Sequence, residues 1–286
     1  MINFDGKKEA ENLDLIFIDR IKQFSLPKTL LILQIGDNLS SEKYINLKIK
    51  YCEKIGVGTI YKKIEPILSD GQIMDTVKNM LEDENIDGAI IQIPLPRQSL
   101  QNILNLIPYN KDLDLLSDKK REQFYQKNFN FLPPTVRALR HFLALDKINM
   151  AQRSITILGG GDLVGKPVAF YLSSLGAKVT VLDTEEITQT NFKNLSQITL
   201  QSIYHKGQKI DSNLVISAMG KSYYLDPDDL KPGTSIVDFG SSIVNGATIG
   251  DLDTRDDISH LGYVSLSPGG MGPLVIRYLI ANLIGL

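Results

Sequence analysis

Apolar runs of strand length alternate with amphipathic stretches of helix length along most of the chain, an order that predicts parallel strands joined by crossover helices. The strand-like runs are TLLILQIG (29–36), GTIYKKIEP (58–66), GAIIQIPL (88–95), SITILGGG (154–161), KVTVLD (178–183), NLVISAMG (213–220) and TSIVDFG (234–240). Helices are predicted near 8–24, 41–55, 70–83, 99–106, 135–146, 166–175 and 273–284. From Lys111 to Asn130 the chain is charged, Asn-rich and without periodicity, and the prolines of the following LPPT disfavour helix before Thr135. This stretch is the predicted seam. Three predicted strands precede it and four follow, which gives an α/β chain of two lobes, 1–138 with 268–286 and 139–267, with a cleft between them.

Composition narrows the classes of partner. Lys plus Arg number 31 and Asp plus Glu 33, a net charge of -2, so nothing global attracts nucleic acid or an anionic membrane. Cys52 is the single cysteine of 286 residues, which excludes an internal disulfide and agrees with a reducing compartment. His141, His205 and His260 lie far apart and show no metal-ligand spacing, so no metal is expected. The N-terminal MINFDGKKEAENLD is charged and lacks the apolar core of a signal peptide, which points to the cytoplasm. PLVIRYLIANLIGL, near the C-terminus, is interrupted by Arg277 and too short to span a bilayer; it reads as a buried helix.

The most specific local pattern is SITILGGGDLVGKPVAFYLSSLGAKVTVLD, which runs strand, glycine turn, helix, strand. Gly159, Gly161 and Gly165 are spaced one residue longer than the standard dinucleotide fingerprint, but the context fits: backbone N–H groups at a helix start meet a pyrophosphate, and glycine permits close approach. Gly160, Asp162 and Val164 complete this turn, and Ala218, Gly220 and Gly240, at the ends of later strands, complete the candidate cofactor set. Asp183 closes the next strand, where an acidic side chain accepts from the adenosine ribose 2'-hydroxyl. Glu185 and Glu186 add negative charge close by, which disfavours a 2'-phosphate. Taken alone, this lip says NAD rather than NADP; the competing reading is that Asp183 caps the following helix.

Tyr44 and Lys48 are four residues apart and share one face of a predicted helix, directly after the polar turn GDNLSS. A lone pair of this kind is ordinarily a solvated face with a core tyrosine. Here DGAIIQIPLP (87–96), NKDLD (110–114), LVGKP and SPGGMGP (267–273) accompany it. In this order and at these spacings the motifs resemble the methylenetetrahydrofolate dehydrogenase/cyclohydrolase family over nearly the whole chain. The resemblance implies a folate-binding catalytic domain and a Rossmann-like NAD(P)-binding domain. It implies that Lys48 is the main catalytic group, Tyr44 lies beside it, Gln92 orients the lysine and Asp114 holds the pterin. Asp112, Pro268, Gly269 and Gly270 are implied at the folate site as well, and the expected assembly is a homodimer through the second lobe.

The residue types suit that chemistry independently. A carboxylate such as Asp114 can accept two parallel hydrogen bonds from a pterin's amino and ring N–H groups. Loss of hydride from the methylene carbon of 5,10-methylenetetrahydrofolate leaves a cationic methenyl bridge that water attacks to give 10-formyltetrahydrofolate. Lys48 can shuttle protons in that step if burial lowers its pKa.

The sequence also departs from the family pattern. Gly160 and Gly161 stand where the pattern has arginine and serine, and DTEE replaces the histidine-serine-basic run after the next strand. The family implies NADP; the local charges imply NAD or a relaxed preference. PPTV (133–136), Leu115 in place of a glycine, SLSPGG (265–270) and Val275 in place of a threonine are further departures, at positions that bear on hydride transfer more than on hydrolysis. The leading expectation is a bifunctional dehydrogenase and cyclohydrolase. The alternatives are an NAD-preferring, mainly monofunctional dehydrogenase and a degenerate binding protein with weak turnover.

Overall fold

The structure, a computed structural model, describes residues 1–145, 153–183, 198–200 and 204–286. Its first elements are β1 (Ile2–Asn3), α1 (Gly6–Ile21), β2 (Thr29–Ile35), α2 (Leu39–Ile55), β3 (Gly58–Ile64), α3 (Asp70–Leu81) and β4 (Gly88–Ile91). A 3-10 stretch at Gln98–Leu106, α4 (Asp118–Tyr125) and α5 (Pro134–Leu145) lead to β5 (Ser154–Leu158), α6 (Gly165–Ser174), β6 (Lys178–Leu182), β7 (Ile198–Leu200) and β8 (Leu214–Ser217). The last elements are β9 (Ser235–Asp238), β10 (Ser242–Val244), β11 (Ala247–Ile249), β12 (Tyr263–Ser265) and α7 (Met271–Ile284). The chain divides into two compact units, Glu11–Pro134 with Ile276–Leu286, and Met1–Ala10 with Thr135–Val275.

The first of these units is built on a parallel sheet in the order β3-β2-β4. β2 is central and six of its residues, Leu30 to Ile35, are buried, which is why its sequence is an unbroken apolar run relieved only by Gln34. Helix α2 starts where the Asn38 side chain accepts the Ser41 N–H at 2.8 Å and stops at Gly56, whose φ of 85° suits glycine. Helix α3 opens on a capping box between Ser69 and Gln72. Arg277 of α7 donates to Asp14 of α1 at 3.0 Å and its guanidinium lies 3.9 Å from the centre of the Tyr51 ring. Lys54 reaches the same carboxylate at 2.7 Å. The charge that interrupts the apolar C-terminal segment is thus matched inside the unit.

The second unit carries a sheet in the order β1-β12-β9-β8-β5-β6-β7, parallel at every pairing. The chain enters at β5, winds outward through β6 and β7, and returns to the other side of β5 for β8, β9 and β12. That reversal between β5 and β8 is the switch point at which doubly wound sheets bind nucleotides, beyond the carboxyl ends of the strands.

Where the structure differs from the expected elements, the reasons are local. Helix α4 lies in the stretch expected to be irregular; Lys120 and Phe124 are its buried residues, too few to make a period. β1, β7, β12 and the antiparallel hairpin of β10 and β11 have two or three residues each, too short for alternation to show. The run 88–95 is strand only as far as Ile91, because Pro94 and Pro96 have no N–H to offer a ladder. No helix among the described residues is long and apolar enough to cross a membrane.

Candidate active site

Within the first unit, Lys48, Gln92 and Asp114 come together near the carboxyl end of β4, and Tyr44 lies on the same helix as Lys48. Lys48 projects from the middle of α2, and Gln92 follows β4 directly. The Lys48 ammonium donates to Gln92 Oε1 at 3.0 Å, while Gln92 Nε2 donates to the carbonyl of Ile93 at 2.9 Å. The second bond fixes which end of the amide faces the lysine. Tyr44 sits half-buried one helical turn before Lys48. Burial pulls the Lys48 pKa below the ordinary lysine value, and the charge of Asp114 opposes part of that fall. Burial pushes the Asp114 carboxyl up to about 7, Lys48 works against the rise, and Asp112 adds to it. An amine and a carboxyl, each half-buried, lie within electrostatic reach of each other, and partial desolvation draws both toward neutrality.

Asp112 has a different task from the substrate contact expected of it. Its buried carboxylate accepts from the N–H groups of Asp114 and Leu116 at 3.1 Å, from Ser117 N at 2.8 Å and from Ser117 Oγ at 2.7 Å. These bonds wind residues 112–117 into a tight loop that fixes the backbone of Asp114. Asp112 therefore positions Asp114 from within the loop. Lys120 supports the same loop from beneath, its ammonium donating to the Tyr109 carbonyl at 3.0 Å and lying 4.1 Å from the centres of the Tyr109 and Phe131 rings. No sequence pattern had marked Lys120; a lysine in a stretch without periodicity carries no signal of burial.

Pro268, Gly269 and Gly270 belong to the second unit. Gly270 donates to the Leu266 carbonyl at 2.8 Å, and Gly6, at the start of α1, packs against the Gly270 carbonyl with no room for a side chain.

The candidate cofactor residues lie together within that unit, beyond the carboxyl ends of β5, β6, β8 and β9. Gly159 follows β5 with φ of 96°, and a Cβ there would stand 2.5 Å from the carbonyl oxygen of Ala218 after β8. Gly165 begins α6 against the backbone of Gly159, so the turn 159–165 is drawn under the N-terminus of the helix. A Cβ on Gly161 would meet nothing within 4 Å, which leaves the outer side of the turn open. This is the cradle a pyrophosphate requires. Asp183 Oδ2 accepts from Gly160 N at 2.6 Å, which sets that oxygen at the turn. Asp162 and Lys166 are ion-paired at the start of α6. Gly220 follows β8 and Gly240 follows β9. Glu185 and Glu186 fall outside the described residues.

The sequence analysis missed two carboxylates in this unit, Asp238 and Asp251, which are 2% and 0% exposed. The available signal was an aspartate at the end of the otherwise apolar run TSIVDFG. No group of His, Cys, Asp or Glu that could hold a metal ion occurs among the described residues.

Comparison with known proteins gives a consistent result over the whole chain. The family model described as tetrahydrofolate dehydrogenase/cyclohydrolase, catalytic domain, matches residues 4–114, and the NAD(P)-binding domain of the same family matches 133–286. The bifunctional protein FolD of Clostridium tetani is 29% identical, over 99% of this chain and 98% of its own. The crystal structure of the bifunctional FolD enzyme of Campylobacter jejuni superposes with a TM-score of 0.82 at 23% identity, covering 100% of this chain and 98% of that one. The Trypanosoma brucei enzyme, complexed with NADP and an inhibitor, gives a TM-score of 0.84 at 22% identity, with 99% and 95% covered.

Proposed function

Because the chain belongs to the tetrahydrofolate dehydrogenase/cyclohydrolase family, we propose that it oxidises 5,10-methylenetetrahydrofolate to the methenyl form with NAD(P)+ and hydrolyses that product to 10-formyltetrahydrofolate. The observation that carries the reading is the half-buried Lys48 ammonium held by Gln92 at 3.0 Å within electrostatic reach of Asp114. A binding protein has no use for a lysine shifted toward its neutral form.

In this reading Asp114 accepts the pterin's amino and ring N–H groups and so fixes the one-carbon bridge beside α2. A bound nicotinamide would supply the hydride acceptor. The oxidised substrate carries a positive charge on its bridge, and a nearby cation is then doubly unfavourable. Lys48 in its neutral form removes one proton of the attacking water, and the same nitrogen returns it to the ring nitrogen as the ring C–N bond opens. The remaining hydroxyl proton leaves to solvent as the formyl carbonyl forms. Gln92 keeps the amine aimed at the bridge by accepting one of its N–H bonds. Tyr44 packs beside the substrate on the same helical face. The four residues assigned to these roles are Tyr44, Lys48, Gln92 and Asp114.

The cofactor assignment is narrower than the domain alone requires. We place the pyrophosphate on the turn from Gly159 through Gly160, Gly161, Asp162 and Val164 to Gly165, with Ala218, Gly220 and Gly240 toward the nicotinamide half. NAD is the better fit. Asp183 puts a carboxylate at the turn, Gly160 supplies no guanidinium, and Lys166 is already matched by Asp162. Pro268 to Gly270 are assigned to the folate by the family pattern. A homodimer through the NAD(P)-binding unit and a cytoplasmic location complete the proposal.

The test is to incubate the purified protein with 5,10-methylenetetrahydrofolate and either dinucleotide, and separately with the methenyl compound. Methenyl formation with NAD+ exceeding that with NADP+, and hydrolysis lowered by about 100-fold or more in Lys48→Ala, is the expected result. Hydrolysis at equal rates in wild type and Lys48→Ala would remove the catalytic reading.

A further inference from the structure

Asp238 ends β9 and Asp251 follows β11, and both carboxyl groups are turned inward. Asp251 Oδ2 accepts from Ser217 Oγ and from Met219 N, each at 2.7 Å, and its Oδ1 accepts from Lys221 N at 2.8 Å. Asp238 Oδ1 accepts from Gly240 N at 2.7 Å, and its Oδ2 from Leu252 N at 3.1 Å. Gly240 lies between the two, donating to Asp238 and pressed so closely on the Asp251 carboxyl that a Cβ would collide with it. Gly250 is pressed on the Asp238 carboxyl in the same way. The partners that hold the pair are backbone N–H groups and one hydroxyl. The nearest charged neighbour in sequence, Asp253, is engaged by Arg255 at 2.6 Å and by Lys206 at 3.9 Å.

Two carboxylates buried this close together, with no ion pair to either among the described residues, do not both ionise at ordinary cost, which favours one proton held between them. What the pair grips is specific. Its donors are the turn after β8, Met219 and Lys221, and the turn after β9, Gly240. In a doubly wound sheet the strands on this side of the switch point carry the second mononucleotide of a dinucleotide.

We propose that Asp238 and Asp251 are positioning residues that share one proton, and that through it they fix the turns after β8 and β9 for the nicotinamide half of the cofactor. The inference rests on the cofactor site proposed above. Loss of the shared proton sets two like charges against each other and loosens both turns. Burial and the neighbouring carboxylate push Asp238 up to about 7, so this loss falls near neutral pH.

The experiment has two arms. Carboxyl-carbon NMR of the wild-type protein is titrated without cofactor. The expected result is one buried carboxyl titrating near pH 7, absent from Asp238→Asn and Asp251→Asn. NADH and NADPH binding is then followed by fluorescence across the same range. Wild-type affinity falls with rising pH, by up to about tenfold per pH unit once the proton is lost. Each Asn variant, which has no shared proton to lose, binds with an affinity level in pH. Wild-type binding level in pH, or both carboxyls ionising in the usual carboxylate range, overturns the inference while leaving the cofactor site intact. Binding of neither dinucleotide at any pH overturns the cofactor site itself, and the positioning role with it. Should one variant fail to fold, the other and the wild-type titration still decide the matter.

Discussion

The ammonium of Lys48, midway along α2, donates to the amide oxygen of Gln92, just past β4, across 3.0 Å. Residues 44 positions apart in sequence thereby set the direction of a single nitrogen. If that nitrogen moves the water's proton, Lys48→Ala lowers methenyl hydrolysis by about 100- to 10,000-fold, the usual range for a general base. Lys48→Arg does not restore it, because a guanidinium keeps its proton. Gln92→Glu gives the sharper result. A carboxylate in place of the amide favours the charged lysine, so the pH at which hydrolysis reaches half its maximum moves upward. A pH–rate profile of the variant that overlays the wild type's would exclude the assigned role of Gln92.

The second prediction concerns Asp114. Burial pushes its carboxyl up to about 7, so the group is ionised above that pH and protonated below it. The ionised form accepts both pterin N–H groups; the protonated form accepts fewer. KM for the folate therefore rises as pH falls through about 7. The kcat of hydrolysis also declines on that side, because Lys48 becomes charged, but it does so with its own midpoint. Asp114→Asn raises KM by about tenfold, the cost of one good hydrogen bond, and makes it independent of pH. Steady-state kinetics from about pH 6 to about pH 9 test both, and a pH-independent wild-type KM would contradict the account.

How much of this was legible in the sequence varies with the length and composition of each piece. β2 announces itself as an apolar run relieved only by Gln34 and β5 as a short run rich in β-branched residues, and Asn38 and Gly56 bracket α2 closely enough to put Tyr44 and Lys48 on one face. The glycine turn was legible because Gly159 and Gly165 do something only glycine can do there. The hidden parts have a common cause. Asp112 looks like a second pterin ligand beside Asp114, and only its bonds to the N–H groups of residues 114–117 reveal an internal brace. Asp238 and Asp251 are separated by a hairpin whose strands are too short to show a period. Lys120 is buried by rings that come from Tyr109 and Phe131, and no local pattern encodes that.

The third prediction follows from the contact between Asp183 and the glycine turn, 2.6 Å from carboxylate to Gly160 N. A 2'-phosphate would bring close to two negative charges toward that carboxylate. Asp183→Ser removes the repulsion while leaving an acceptor for the turn. The ratio of kcat/KM for NADP+ to that for NAD+ is expected to rise at least about tenfold, which corresponds to one modest charge contact. Adding Gly160→Arg should raise it further by supplying a phosphate partner. An unchanged ratio in the single variant would mean that another group selects the cofactor.

Leu115 provides the fourth, and it concerns stability. The residue has φ of 58°, in the left-handed region, where the family pattern has glycine. Its side chain is 1% exposed. Holding a branched residue in this conformation costs about 1–2 kcal/mol. The position persists because the Asp112 carboxylate grips the backbone on both sides of it, at Asp114 and Leu116, and because Arg121 donates to the Leu115 carbonyl at 3.0 Å. Leu115→Gly relieves the strain but gives up the buried side chain, worth about 2–5 kcal/mol, so the variant is less stable by up to roughly 4 kcal/mol. Leu115→Ala gives up nearly the same contacts and keeps the strain, so it is the worse of the two. At a buried site of ordinary backbone conformation alanine would be the better by about 0.5–1 kcal/mol. Urea denaturation of the three proteins at one pH distinguishes these cases. A midpoint for the alanine variant above that of the glycine variant would show that the loop relaxes out of the left-handed region, and that the bonds from Asp112 do not hold it there.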